Sequence, residues 1–437
     1  MNRITTTTFL GALLFVGAFS LQARAATRTV DRADDPLPMV DACNPGVTND
    51  CSLRGAIFSA SAGDTINFAP SVEFHTIQLS NQFFTLAVTK NNVTINGPGD
   101  ITILAPGPDE PVLSVDNNVT NVSISGLIIA NHPAATNPSG NGSGMLIGNG
   151  ASVTLSNMVF DHNSVLSIEN SGNLTINNSV FSNNSNPLNG GALGGGTINV
   201  GGSGNSLTVS GSTFLNNSGI RSGGIFCAND AQTTVVNSLF NTNSSLGSNL
   251  FTGDGGGINT DICALQVINS TFIGNHAPHG GGGAVFTKHD ATVVFRQLTV
   301  VNNSAGSSGG GLQSSTDSAN VSNSIVTGNS APIGPDLISA GITGGNNIIG
   351  GNAGLNPLGN YGGQVQTMSL RCDSPALNAG NNAFALDANG NPLTTDARGA
   401  GFPRNLEGTV DIGAFESNRS FVSNVSDNIS TTGSLRK

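Results

Sequence analysis

The sequence predicts an all-β fold, a right-handed parallel β-helix: one solenoid with a short capping helix at its N-terminal end and an irregular cap at the other. Three observations predict it. An apolar residue followed three positions later by Asn recurs at Phe160/Asn163, Phe181/Asn184, Phe214/Asn217, Phe240/Asn243, Phe272/Asn275, Val300/Asn303 and Val326/Asn329. A Gly pair followed by small or apolar residues alternates with it, at Gly190-Gly191-Ala192-Leu193, Gly223-Gly224-Ile225-Phe226, Gly256-Gly257-Ile258-Asn259, Gly282-Gly283-Ala284-Val285 and Gly310-Gly311-Leu312-Gln313. Composition supplies the third: 59 Gly and only 9% charged residues, against 37% hydrophobic. That apolar content gives the chain a core to bury, while the Gly and Asn content works against long helices.

The repeat length separates this fold from helical solenoids. Steps between the apolar members are 21, 33, 26, 32, 28 and 26 residues. A β-helix absorbs such variation at its corners, because only its short strands must keep register. Segments such as Val153-Thr154-Leu155, Leu174-Thr175-Ile176 and Leu207-Thr208-Val209 alternate with the two-residue period of a strand. Stacking the coils makes an inward Phe ladder from Phe181, Phe214, Phe240 and Phe272. At a strand spacing of about 4.8 Å, nine or ten coils make a rod roughly 45 Å long. Asn and Gly suit its sharp corners because they accept left-handed backbone angles with least strain, and stacked Asn side chains can hydrogen-bond along the rod.

Each end reads differently. Arg3, the apolar run Phe9 to Leu21 and Ala23-Arg24-Ala25 have the build of a secretory signal peptide over residues 1–25. No other stretch is apolar enough for a membrane span, so an exported chain at the cell surface or outside it is expected. Residues 26–90 form an N-terminal cap and the first strands, with a short amphipathic helix within Cys51 to Ala62 that turns Leu53, Ile57 and Phe58 inward. The repeats occupy 91–354, a C-terminal cap 355–417 and a flexible tail 418–437. Of five cysteines, Cys43 and Cys51 suit a small disulfide loop, and Cys227 and Cys263 suit a bridge between neighbouring coils. Cys372 is left over.

Charge bounds the partners. The net charge is −11, and between Asn91 and Leu370 the only basic residues are Arg221, Lys288 and Arg296. Nucleic acid is excluded, because phosphate binding needs clustered cations, and anionic polysaccharide is disfavoured on the same ground. A monomer that meets an extracellular polysaccharide or a surface protein is expected.

The end motifs resemble known families. Cys51-Ser52-Leu53-Arg54-Gly55-Ala56-Ile57 resembles the CSLREA element of bacterial secreted β-helix proteins, with Gly55 where Glu is usual. Ser374-Pro375-Ala376, Asp396-Ala397-Arg398-Gly399 and Asp411-Ile412-Gly413-Ala414-Phe415-Glu416 resemble the domain called choice-of-anchor Q. The central units resemble those of chlamydial polymorphic outer-membrane proteins. These likenesses imply export and the β-helix. The polymorphic group are autotransporter adhesins with a C-terminal membrane barrel; with none after Glu416, release or non-covalent surface retention is the expectation.

For chemistry, the densest polar cluster runs from Asp254 to Arg296 and holds Asp254, Asp261, His276, His279, Lys288, His289 and Asp290. Residues one coil apart are neighbours along the rod, which brings Asp261 and Asp290 towards one groove. Two carboxylates roughly 5–9.5 Å apart are the usual requirement for glycoside hydrolysis. Asp254, Asp261, His279 and Asp290 are thus the catalytic candidates. Asn259-Thr260-Asp261 matches the first polygalacturonase motif, but that family's Asp-Asp, Gly-His-Gly and Arg-Ile-Lys elements do not follow. His279-Gly280-Gly281-Gly282 and Gly306-Ser307-Ser308-Gly309-Gly310 look like esterase elements outside their strand–turn–helix context. Asp387, Asn389 and Asn391 open like a calcium loop, yet Arg398 stands where its closing Glu belongs. Calcium is the one cofactor left open, and a β-turn is the competing reading there. With no Trp and one Tyr, Tyr361, a stacking platform for neutral sugar is not expected. Adhesion or extracellular interaction without catalysis is the leading functional expectation. The alternatives are a polysaccharide hydrolase or lyase with its site in the Asp254–Arg296 coils, and an inert spacer. An enzyme needs acidic side chains converging in one groove; an adhesin does not.

Overall fold

The computed structural model describes residues 25–36, 43–44, 46–80, 85–105, 107–134, 142–187, 195–248, 252–290 and 292–418. The segment 1–25 expected to be a signal peptide, but for Ala25, the tail beyond Asn418 and the first Gly-Gly unit at Gly190 lie outside the described residues. The rest is a parallel β-helix in which 27 strands join in one continuous sheet. Each coil of the central rod runs through four short strands, and each strand pairs in parallel with its counterparts in the coils before and after. The first ladder runs from Leu86–Val88 through Leu113–Val115, Ser143–Ile147, Leu166–Asn170, Ile198–Gly201, 225–228, 258–261, Val285–Lys288 and 312–314 to 337–339. The second includes Ser152–Ser156, Asn173–Asn177 and Ser206–Ser210, and the third Val159–Asp161, Val180–Ser182 and Thr213–Leu215. The fourth is a ladder of two-residue strands from Ser185–Asn186 to Ser304–Ala305.

The core follows the alternation in the sequence. Phe160, Phe181, Phe214, Phe240 and Phe272 are fully buried and stack with ring centroids 4.9, 4.7, 4.5 and 4.7 Å apart and planes within 7° of parallel. That spacing is the spacing of the strands themselves. The glycines of the second repeat unit make room for these rings: a Cβ on Gly224 would sit 2.9 Å from Phe240 Cε1. Ala284 is tolerated at the corresponding place in the coil that carries Val300 instead of Phe.

The Asn of each Phe-x-x-Asn unit is buried at the corner between the third and fourth ladders. Its backbone N–H and its side-chain Nδ2 both donate to Oδ1 of the next Asn. For Asn217 and Asn243 the distances are 3.1 and 2.9 Å, and Asn217 Nδ2 also donates to Phe181 O at 2.8 Å. The chain of bonds runs from His132 N through Asn163, Asn184, Asn217, Asn243, Asn275, Asn303 and Asn329, and ends on Asp336 Oδ1. A parallel ladder of serines, Ser179, Ser212, Ser238 and Ser270, lines the corner between the second and third ladders, each Oγ accepting from an N–H of the previous coil. The preceding residues, Asn178, Gly211, Asn237 and Asn269, have φ between 50° and 59°, the left-handed region that Asn and Gly tolerate.

The helix is Leu53–Ser59, capped by Ser52 Oγ, which accepts from Gly55 N at 3.0 Å. Leu53 and Ile57 are buried, but Phe58 is 70% exposed, against the expectation that it turns inward. Residues 53–57 of this helix are all buried, so it is sunk into the end of the rod on most of its circumference, and Phe58 falls on the strip left facing outward. Arg54 is buried and bidentate to Asp35, at 2.6 and 2.9 Å. Cys43–Cys51 and Cys227–Cys263 are disulfides, and Cys372 is free and exposed.

Residues 355–417 do not sit as a lid on the end of the rod. They lie back along the corner between the second and third ladders. Asn269 Nδ2 donates to Thr395 O at 2.7 Å, Arg404 Nη2 to Gln297 Oε1 at 2.5 Å, and Asn323 Nδ2 to Asn381 O at 2.9 Å. The same corner residues that accept positive φ thus offer amides for docking. Arg404 is fully buried, and Arg398 pairs with the buried Asp396 while stacking 3.8 Å from the Phe415 ring. Ile342 and Ile349 of the last coil stay about half exposed.

Replacing Asn243 by Ala removes a side chain that both donates to Phe214 O and Asn275 Oδ1 and accepts from Asn217. Buried partners lose their bonds on both sides, so Asn243→Ala is expected to destabilise the rod by about 3 kcal/mol, read as a lower denaturant midpoint. Exposed Thr292→Ala should leave the midpoint nearly unchanged.

Candidate functional site

Strand alternation that sends Ile198, Ile225, Ile258, Val285 and Leu312 into the core must send the next residue of each strand outwards. The first ladder therefore carries an outward row, Glu169, Asn199, Phe226, Asn259, Phe286 and Gln313, each paired with the next. A second outward row lies two positions on, Gly201, Ala228, Asp261 and Lys288. Small residues in that row leave the sheet surface open beside Glu169, in a concavity of about 380 Å³ bounded by Glu169, Asn199, Arg221, Phe226, Asp261 and Ile262. It adjoins a second concavity, of about 160 Å³, that shares Arg221, Phe226 and Asp261 and adds Asp254, Asn259, Phe286 and Lys288.

Local structure fixes each side chain. Arg221 lies in the segment that leads into the strand at Ile225, where Asn259 Nδ2 donates to its carbonyl at 2.8 Å. Its guanidinium stands 4.9 Å from the centre of the Phe226 ring, a cation–π distance. Asp254 comes from the turn before Ile258, and its Oδ1 accepts from Gly281 N of the next coil at 2.7 Å. Gly280 must be Gly here, since a Cβ would fall 2.3 Å from that oxygen. Asp261 and Lys288 are register partners on neighbouring strands. Ile262, which follows Asp261, has φ 59°, a strained angle for a β-branched residue, and is anchored at Cys263 by the Cys227–Cys263 bridge.

Burial sets the electrostatics. The Asp254 carboxyl is pushed up to about 6 by burial, against the opposing pull of the Gly281 N–H and the Lys288 charge. Burial also pushes the Glu169 carboxyl above its ordinary range. Asp261 is more open, its side chain 42% exposed, with His289 Nδ1 at 3.1 Å from Oδ1.

The four catalytic candidates from the sequence separate. Asp254 and Asp261 line the same concavity. Asp290 does not: it is buried, where it accepts from Thr260 Oγ1 and, at 2.8 Å, from Cys263 N, so it braces the corner from below. His279 is exposed in the loop whose Gly280 and Gly281 pack on Asp254, but it is not among the residues that line the concavity. Asp387, Asn389 and Asn391 form a tight turn in which Asp387 Oδ1 accepts from both following amides, at 2.9 and 2.8 Å. Those bonds hold the Asp387 carboxyl below its ordinary range. Among the described residues no group of three or more His, Cys, Asp or Glu is arranged to hold a metal ion, and no helix is long and apolar enough to cross a membrane.

Sequence reasoning missed Phe226 and Phe286 as site residues by assigning most Phe to the core. The signal was present. In Gly-Gly-Ile-Phe and Gly-Ala-Val-Phe the first apolar residue faces inward, so period two puts the Phe outside. Arg221 gave no signal, because its place depends on the length of the turn before Ile225.

No protein-family model matches the chain, and no curated protein matches it. Among solved structures, pectate lyase Pel9A superposes over 91% of this chain and 97% of its own, at 15% identity and a TM-score of 0.56. A mannuronic-acid-specific family 6 polysaccharide lyase from the human gut microbiota overlaps 72% of this chain and 83% of its own, at 12% identity, with a TM-score of only 0.27.

Titration of Asp254 checks the electrostatic picture. Carboxyl NMR should follow its midpoint near pH 6. Lys288→Met removes a charge that favours the ionised form, so the midpoint should rise; a fall or no change would contradict the placement of Lys288 beside Asp254. The likeness to Pel9A, at this identity, speaks to fold alone: the chain is a right-handed parallel β-helix.

Proposed function

We propose that this protein cleaves a uronate-containing polysaccharide in the groove on its first ladder. The observation that supports this is the convergence of charge. Between Asn91 and Leu370 there are three basic residues, and two of them, Arg221 and Lys288, line one concavity with Asp254 and Asp261. Charges are otherwise rare on the coils, so four in one place need a reason beyond solubility. The third, Arg296, donates to Asp387 O at 3.2 Å in the C-terminal segment.

The chemistry follows from the two carboxylates. A carboxyl with its pKa near 6 holds a proton close to neutral pH, which suits Asp254 to protonate a glycosidic oxygen as the bond to the leaving sugar breaks. The more open Asp261 would accept the proton of the attacking water or attack the anomeric carbon itself, as carboxylate pairs do in glycoside hydrolysis. Phe226 and Phe286, only 5% and 7% exposed, give the groove an apolar floor beneath Arg221, and the half-buried Gln313 offers a hydrogen-bond partner along the row. Arg221 and Lys288 are suited to a sugar carboxylate.

Elimination is the second reading, favoured by those same cations. They would offset charge on the uronate as Asp261 takes the proton from the carbon beside its carboxylate, the electron pair forms the new C=C bond, and the linking oxygen leaves with a proton from Asp254. The name of the fold neighbour, a pectate lyase, agrees with that reading. Adhesion without catalysis, the leading expectation from sequence, requires no such convergence, and we rank it second to cleavage. Such a polymer belongs outside the cell, in keeping with the export expected from the N-terminal sequence.

The test is a release assay on polyuronates and neutral glycans. New reducing ends are expected with wild type and should fall at least about 100-fold in Asp254→Asn and in Asp261→Asn. An unsaturated product would assign elimination, and a saturated one hydrolysis. Retention on an insoluble glycan without any release would return the protein to the adhesin reading.

A further inference from the structure

We propose that Glu169 makes the groove selective for a polymer in which uronate alternates with a neutral sugar, over a continuous polyuronate. The inference rests on the reading of the first ladder as a polysaccharide groove, and it deepens that reading to a substrate class. Its basis is the uneven charge along one row of side chains. Both cations, Arg221 and Lys288, flank the part of the row at Phe226, Asn259 and Phe286. Glu169 lies two strands away from Phe226 on the same row, with Asn199 between them. At a strand spacing of about 4.8 Å, that puts Glu169 about 10 Å along the groove.

A polysaccharide lying along the rod would therefore meet opposite charges at successive positions. One unit faces Arg221 and Lys288, where a carboxylate is welcome. A neighbouring unit faces Glu169 in the concavity that Arg221, Phe226 and Asp261 also line. Glu169 is part of the same sheet surface, half-buried, and fixed by strand pairing on both sides. Burial drives its carboxyl upward. A second carboxylate brought against it would meet like charge in a poorly solvated place, whereas the hydroxyls of a neutral sugar can donate to it. Asn199 next to it accepts either kind of unit through its amide. The groove thus discriminates by rejection at one end and attraction at the centre.

Binding and cleavage by the full chain at pH 8 test this, with polygalacturonate as the continuous polyuronate and a galacturonate–rhamnose polymer as the alternating one. Wild type should bind the alternating polymer at least tenfold more tightly. Glu169→Gln, which keeps shape and removes charge, should gain affinity for polygalacturonate and narrow the gap to within about twofold, with an unchanged melting temperature. Equal binding by wild type, a preference for polygalacturonate, or an unchanged ratio in Glu169→Gln would overturn the selectivity. Cleavage with no such ratio would sink this inference alone. The expected ratio without cleavage would sink the catalytic reading alone. If wild type binds neither polymer, both fall.

Discussion

The bond from each corner asparagine to the side-chain oxygen of the next sets the coil-to-coil register on which every other placement depends. A parallel strand can slip by two residues along its neighbour and still keep its inward face inward. The Asn ladder removes that freedom, because Asn217 must meet Asn243 Oδ1 with both its N–H and its Nδ2 while its Nδ2 also reaches Phe181 O. Only one register satisfies all three bonds within the buried corner. The Phe stack then follows, since Phe214 and Phe240 stand three residues before those asparagines and are carried into contact by them. Corner loops may differ in length by a dozen residues without disturbing either ladder, which is why the repeat step varies as it does.

Much of this was legible in the sequence. The Phe-x-x-Asn units fixed two of the four ladders by their offset alone, and the Gly pairs marked where the first ladder begins. The serine ladder was not seen, although Asn178-Ser179, Asn237-Ser238 and Asn269-Ser270 repeat at the same spacing. An exposed Asn-Ser pair and a buried one look alike in a sequence rich in both. The C-terminal segment was read as a lid because its repeat stops there. Its true place depends on Asn269, Gln297 and Asn323 presenting amides from positive-φ corners, a three-dimensional coincidence of three coils.

The site was legible in type but not in membership. Spacing by one coil was expected to join Asp261 and Asp290, whereas the register partner of Asp261 is Lys288. The strand ends at Lys288, and His289 takes a positive φ, so the chain turns and carries the next carboxylate under the sheet. Asp290 there meets Thr260 and the Cys263 amide. One residue of strand length decides between a groove carboxylate and a structural one, and no composition or motif reports that length.

Scarcity of charge makes the groove interpretable. Most charged side chains elsewhere have structural partners: Arg54 with Asp35, Arg28 with Asp64, Arg398 with Asp396, Arg404 with Glu416. These pairs sit at the two ends and in the C-terminal segment, where the regular ladder cannot satisfy backbone and side chains by itself. Along the coils that work is done mostly by neutral amides and hydroxyls, joined by single carboxylates such as Asp161, Asp290 and Asp336 that accept from neutral donors. A cation on the coils is then a departure from the plan of the fold. Arg221 and Lys288, on a turn and a strand two coils apart, meet two carboxylates over two phenyl rings. Asp254 is itself buried and braces Gly281 N of the next coil, while neutral residues stand in the neighbouring coils where these two cations stand here. The proposed polysaccharide groove rests on that convergence of charge in one place.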